Sequence, residues 1–460
     1  MKKNFELGKS FLQKTLVLML PVILQQLISI GINFMDNLMV GSFGETQIAA
    51  ASFGNQFYSL FQFICMGLGS GAIVMSSQFW GRRELEPMRI AAAIALRVTV
   101  VLCAAFTVFS VAFPQLIMRA FTNEAAVITV GTPYMRLIGA TFLLAGLSST
   151  ATYLLRSVGS VRVPLIGSAV AFFVNIFFNW VFIFGKFGAP ALEIVGAAVG
   201  TVIARAVEFL IVFGYYILRD DRFGFRLKHF ALSGKSLHRQ YIKFSVPVLV
   251  SDFLLGLSLS LCSVIYGHVG EEITAANAIV NSMVQLVTIL NVGMSGAAAI
   301  VIGNTIGEGD TLRARREGNS YVLFSIGIGL VVIPILLLLE RPYLSLYTIA
   351  ESTRGITHSM FVINCLMMPF MTIAYITSKG ILRGGGDTRF LMIFDSILVW
   401  LFSLPLGALA GLVWHMTPFW VFFFLKIEYG MKGIICTIRF FTKKWIKVIR
   451  AEDTPAELTE

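Results

Sequence analysis

Apolar residues run in long unbroken blocks, each set off from the next by a short cluster of charged or glycine-rich positions. A block of about 20 residues is long enough to cross the hydrocarbon core of a bilayer. Twelve such blocks are predicted, over 15–41, 48–80, 90–118, 126–156, 162–185, 193–218, 244–267, 273–303, 318–340, 354–383, 388–412 and 417–440. Apolar and polar positions do not alternate within them, so the spans are helices and not strands of a closed barrel. The pattern predicts an all-α polytopic membrane protein with twelve transmembrane helices.

Composition agrees. Of 460 residues 57% are hydrophobic and 13% charged, where a soluble chain carries about 25% charged, and the mean hydropathy is +0.80. The net charge of +11 would suggest a nucleic-acid partner until the basic residues are placed. They fall in alternate loops: 26 of the 36 Lys and Arg lie in the N-terminal segment, in loops 2–3, 4–5, 6–7, 8–9 and 10–11, and in the C-terminal tail. The opposite loops hold only Arg119, Lys186, Arg341 and Arg354. The positive-inside rule then places both termini in the cytoplasm. The charge encodes topology, and no nucleic-acid partner is expected. The basic-then-apolar start lacks a small-residue cleavage site and is expected to be a retained first helix. The five cysteines show no CxxC or metal spacing and are expected to be buried thiols.

The two halves repeat. Shifted by 226 residues, 21–81 lies on 247–307 without a gap, with identities that include Pro21/Pro247, Gly41/Gly267, Gly44/Gly270 and Glu45/Glu271. A second echo, at 227, sets "LRSVGSVR" against "LRGGGDTR". Each unit has six helices, an even number, so both enter the membrane from the same side. The expected architecture is two six-helix lobes related by a pseudo-two-fold axis along the membrane normal, with a cavity between them. The expected lobes are 1–220 and 244–460, the latter with a basic tail, joined by a cytoplasmic linker at 221–243. Such repeats point to a secondary transporter that works by rocking.

Charges inside apolar spans are costly and are either paired or functional. Glu208 follows Arg205 by three residues, on one helix face, which suits a structural ion pair. Lys426, Glu428 and Lys432 in helix 12 suit snorkelling and local pairing. Asp36 has no basic residue within a turn. At about 1.5 Å per residue it lies roughly 33 Å along helix 1 from Lys14. Asn175 and Asn179, four apart on helix 5, and Thr201, two turns into helix 6, reach a similar depth. Together the four form an oxygen-rich set suited to a hard cation or an exchangeable proton. The alternative is an Asp hydrating itself near the outer interface while the Asn residues pack helices. Asp252 and Asp395 each lie about 12 Å inside their helices and are candidate acids of the second lobe. If close together, they would favour a proton-exchanging site. Asp36 falls opposite Cys262 in the repeat, so the first-lobe acid is not duplicated.

No Walker loop, HExxH, GxSxG or Cys/His cluster occurs, so neither ATP hydrolysis nor another enzyme activity is expected, nor any cofactor. The glycine-rich "RGGGDTR" suits a turn between helices 10 and 11 better than a phosphate loop.

The segments "INFMDNLMVGSFGETQIAAAS", "GLGSGAIVMSSQFWGRRE", "LRSVGSVRVPLIGSAVAFFVNIFFNWVFIFGKFGAPALEIVGAAVGTVIAR" and "RGGGDTRF" resemble the multidrug and toxic compound extrusion (MATE) transporters over nearly the whole chain. The resemblance implies a bacterial inner-membrane antiporter with two lobes in a V, exchanging amphipathic organic cations or drugs for Na⁺ or H⁺, and expected to be monomeric. The family's first-lobe cation site carries over to Asp36, Asn175, Asn179 and Thr201. Some members have Asp where this chain has Asn179. Members that use a second-lobe site have an acid in helix 7, for which Asp252 is the counterpart, and another in helix 10, where this chain has none. Asp395 on helix 11 is then a substitute by inference. A lipid-linked oligosaccharide flippase of the same fold superfamily is the rival reading. It needs arginines in the cavity, and only Arg97, Arg136 and Arg205 fall within spans.

Overall fold

The computed structural model describes residues 5–347 and 349–450. The acidic end of the tail and the first lysines, Lys2 and Lys3, lie outside the described residues. Among those described, the regular structure is entirely helical. The helices are α1 (Lys9–Gly41), α2 (Glu45–Arg82), α3 (Leu85–Ala112), α4 (Pro114–Phe121), α5 (Ala125–Ala140), α6 (Phe142–Ser157), α7 (Arg162–Phe184) and α8 (Glu193–Leu218). They continue with α9 (Lys235–Val269), α10 (Glu271–Gly307), α11 (Thr311–Leu344), α12 (Glu351–Leu382), α13 (Thr388–Val413) and α14 (Pro418–Phe441). Ten are long and apolar enough to cross a membrane. The bent pair α5 and α6 is together long and apolar enough for an eleventh. The remaining block is α14, 24 residues long and interrupted by Lys426, Glu428 and Lys432.

Two of the predicted spans are corrected. The block 90–118 is not one helix: α3 ends at Ala112, and Pro114 opens the short α4. Proline has no N–H to give to the preceding turn but fits the first turn of a new helix. The block 126–156 bends by 42° at Thr141, whose hydroxyl donates to the Ile138 carbonyl at 2.7 Å. A side chain that bonds back into the preceding turn competes with the helical ladder there.

The chain forms two compact units. One is Pro21–Leu249; the other is Val250–Ile449 together with the start of α1 up to Leu20. The chain thus changes unit inside α1, at Pro21, and inside α9, two residues after Pro247. In the first unit the core gathers around Phe61 and Phe142, stacked at 4.4 Å. The glycines of α2 serve two faces of this unit. A Cβ on Gly67 or Gly71 would meet Leu249 Cα at 2.5 Å and Ser245 Oγ at 2.0 Å, while one on Gly69 would meet the Tyr153 ring at 2.0 Å. Small residues four apart let two helix backbones approach closely, which seats the start of α9 on α2. In the second unit α10, α12, α13 and α14 enclose a core built on Met360, Phe361, Met368 and Phe422. The start of α1 lies on α11, where Thr15 and Tyr321 hydroxyls meet at 2.9 Å and Phe11 packs edge-on to Tyr321.

The repeat recurs in the backbone. Gly44 and Gly270 precede α2 and α10 with φ of 111° and 156°, and Gly159 and Gly386 take φ of 77° and 85° at equivalent turns. A side chain at these positions would be strained.

Candidate functional site

Asp36 sits on α1 one turn before the glycine-rich end of that helix, half-buried. Asn175 and Asn179 project from one face of α7, and both are buried. Asn179 Nδ2 donates to Asp36 Oδ1 at 2.5 Å and lies 3.3 Å from Asn175 Oδ1. Asn175 Nδ2 in turn donates to Thr201 Oγ1 of α8 at 3.3 Å. The four residues proposed from the sequence therefore form one continuous set. Close helix packing makes this possible: a Cβ on Gly200 would come within 2.1 Å of Asn179 Oδ1. That oxygen is buried and has no hydrogen-bond partner among the described residues. A buried acceptor without a donor is costly, and here it stands beside carboxylate, amide and hydroxyl oxygens. Such a set suits a hard monovalent cation or a proton. No three His, Cys, Asp or Glu side chains gather as a metal site among the described residues.

A second polar chain crosses the same unit. Arg205 and Glu208 pair at 2.6 Å, as their spacing suggested. Arg205 also lies over the Tyr58 ring at 5.7 Å and within electrostatic reach of Asp36. Ser168 donates to Glu208 at 3.1 Å, and Gln25 connects Ser168 to Arg156. Arg156, counted with a loop from the sequence, stands in the last turn of α6.

Comparison with known proteins follows the same repeat. The MatE family model matches residues 21–181 and again residues 247–409, beginning each time at a proline that the internal alignment had paired. The chain belongs to the MatE family of multidrug efflux transporters. It is 25% identical to multidrug resistance protein MdtK of Edwardsiella ictaluri, covering 94% of this chain and 96% of that one. It is 24% identical to NorM of Vibrio vulnificus, over 89% and 91% of the two chains, and 23% identical to the uncharacterized transporter YisQ of Bacillus subtilis, over 90% of each. Among solved structures, the Vibrio cholerae MATE transporter VcmN in its bent form superposes with a TM-score of 0.84 at 17% identity, over 94% and 97%. A MOP superfamily transporter from Pyrococcus furiosus gives 0.82 at 18% identity, over 96% and 99%. These structural likenesses establish a common fold.

In the second unit of this MatE transporter, charges meet across helices. Asp252 on α9 is 1% exposed, and Arg383, the residue after α12, donates to both its oxygens, at 3.0 and 3.1 Å. Lys379, one turn earlier on α12, stands 3.6 Å from the same carboxylate. Where the resemblance led to the search for an acid in helix 10, this chain has two cations. Asp395 pairs with Lys432 of α14 at 2.7 Å and accepts from Ser251 at 3.0 Å. Each candidate acid thus holds its own cation. Lys379, Arg383 and Lys432 escaped the sequence reading as partners because pairing across helices leaves no local spacing. The available signal was Lys379 and Arg383 four apart, on one face of a span.

Proposed function

We propose that the chain is a secondary active efflux transporter that exchanges amphipathic organic substrates for Na⁺ or H⁺, with Asp36 as the coupling-ion ligand. One observation carries the proposal: a half-buried carboxylate with no ion-pair partner among the described residues, hydrogen-bonded to Asn179 beside a buried amide oxygen that has none. Asn175, Asn179 and Thr201 complete the set. Ion binding and substrate release compete through rearrangement of the six-helix halves, 1–220 and 244–460, about the 221–243 connection. The names of MdtK and NorM support export of drugs, and the basic loops support cytoplasmic termini in a bacterial inner membrane.

Asp252 and Asp395, neutralised by Arg383 and Lys432, serve as fixed framework charges. Of the three span arginines the flippase reading could use, two are committed: Arg97 donates to the Ala93 and Leu232 carbonyls and Arg205 is tied to Glu208. Efflux of a fluorescent organic cation from cells, wild type against Asp36→Asn, tests the assignment. Loss of coupled efflux with normal membrane insertion is expected. Undiminished efflux in the variant would remove Asp36 from the mechanism.

A further inference from the structure

The Asp36 set does not stand alone in the first unit. Thr201, its hydroxyl member, lies on α8, and Arg205 follows four residues later on the same face, about 6 Å along the helix axis. Among the described residues Arg205 is the cation whose charge reaches Asp36, although the two form no ion pair. Its partner is Glu208, with Arg205 Nη1 2.6 Å from Glu208 Oε2. The pair is fixed from several sides. Ser168 of α7 donates to Glu208 Oε1 at 3.1 Å, and Gln25 of α1 donates to Ser168 at 3.4 Å. The guanidinium rests on Tyr58 of α2, 5.7 Å from the ring centre. Tyr134 of α5 also faces Asp36 and donates to Asn55 Oδ1 at 3.5 Å; a tyrosine is uncharged at neutral pH.

Four helices thus hold an ion pair that costs desolvation energy, and apolar residues of similar size would often fill such a place at no loss of stability. What the pair adds is a field with a direction. Arg205 is one turn from Thr201, whereas Glu208 stands three residues further along α8. The positive end of the pair is therefore the nearer one to the ion set. A positive charge close to a carboxylate favours its empty, ionised form over the form that has taken up a proton or a cation. Without that neighbour, a carboxylate in low dielectric holds its ion tightly, and a coupling site that does not release its ion does not turn over.

We propose that Arg205, held by Glu208, sets the affinity of Asp36 for the coupling ion and so permits its release. The proposal rests on Asp36 being the coupling-ion ligand and adds residues outside the set of four. Arg205 acts on the ion through Asp36 and does not touch it. Glu208 holds the guanidinium and moderates its charge, so the two members of the pair act on Asp36 in opposite senses.

The opposed signs supply the test. Efflux of a fluorescent organic cation by proteoliposomes is measured against the concentration of the driving ion, Na⁺ or H⁺, whichever energises the wild type. Arg205→Gln should lower the ion concentration for half-maximal efflux about fivefold, with a slower maximal rate because the ion leaves slowly. Glu208→Gln, which leaves the Arg205 charge unmoderated, should raise it by about the same factor. Arg205→Lys keeps the charge and should keep the wild-type dependence. The double variant Arg205→Gln with Glu208→Gln buries no unpaired charge, so it should insert normally and show a lowered half-maximal concentration. Shifts in the same direction for the two single variants, or a double variant with wild-type ion dependence, overturn the assignment. A purely structural pair would lower the rate in both single variants without moving the half-maximal concentration. Asp36→Asn in the same assay separates the two readings. Normal coupled transport by that variant refutes the coupling-ion ligand and this proposal with it. An inactive Asp36→Asn, together with unmoved ion dependence in the pair variants, refutes the role of Arg205 alone.

Discussion

Replacing Arg383 by Met would leave the buried Asp252 carboxylate of the second unit with only the looser Lys379 contact. Asp252 is 1% exposed and its two bonds to the guanidinium are 3.0 and 3.1 Å long. Two unit charges about 3 Å apart attract by roughly 5 kcal/mol at an effective dielectric near 20. Breaking a buried pair from one side typically costs about 3–5 kcal/mol, because the remaining charge stays desolvated. Lys379, 3.6 Å away, keeps part of the compensation, which sets the expectation near 3 kcal/mol, the lower end of that range. In a unit of about 200 residues this lowers the apparent melting temperature by about 6–12 °C, measurable by thermal unfolding in detergent. The double variant Asp252→Asn with Arg383→Met removes both charges and should recover most of the loss. A cost under about 1 kcal/mol for the single variant, or a double variant as unstable as the single, would refute the reasoning.

Gly200→Ala should cut coupled efflux severely while the protein still inserts, because the new methyl would come within 2.1 Å of Asn179 Oδ1 and displace the residue that holds Asp36. Gly214→Ala on the same helix meets nothing within 4 Å and should transport normally. Gly385→Ala should lower the melting temperature, since its Cβ would meet the buried Trp445 ring at 2.2 Å. In the connection after α8, burial pushes the Asp220 carboxyl above its ordinary range. The folded chain therefore holds that proton more tightly than the unfolded one. Its ionised form penalises folding as pH rises past the ordinary carboxylate value, fully so above the raised one. Asp220→Asn, which keeps an oxygen acceptor for the Phe223 N–H, should raise the melting temperature at neutral pH. The gain should vanish as the pH falls below about 4, as followed by unfolding across a pH series.

The sequence made the helices and their repeat legible because both are written in local pattern: unbroken apolar runs, and prolines and glycines recurring at one offset. The Asp36 set was legible for a related reason. Asn175 and Asn179 are four apart, and depth along each helix can be counted. The bends at Pro114 and Thr141 were missed because hydropathy continues straight through them. The charge pairs of the second unit were also missed. Asp252 and Arg383 are 131 residues apart, and Asp395 and Lys432 sit on different helices. Arg383, near the end of its span, had been counted as topology. The π-helical segments of α12 and α13, Ile376–Leu382 and Leu398–Ser403, carry no residue pattern that separates them from ordinary helix.

The most direct test of coupling through Asp36 is efflux in proteoliposomes with a Na⁺ gradient or a pH gradient imposed separately, comparing the wild type with Asp36→Asn. A fluorescent organic substrate serves as the reporter. The wild type should move substrate against its gradient under at least one of the two driving forces, and Asp36→Asn should abolish that movement under the same force. Equal gradient-driven transport by both proteins would contradict the assignment of Asp36 as the coupling-ion ligand.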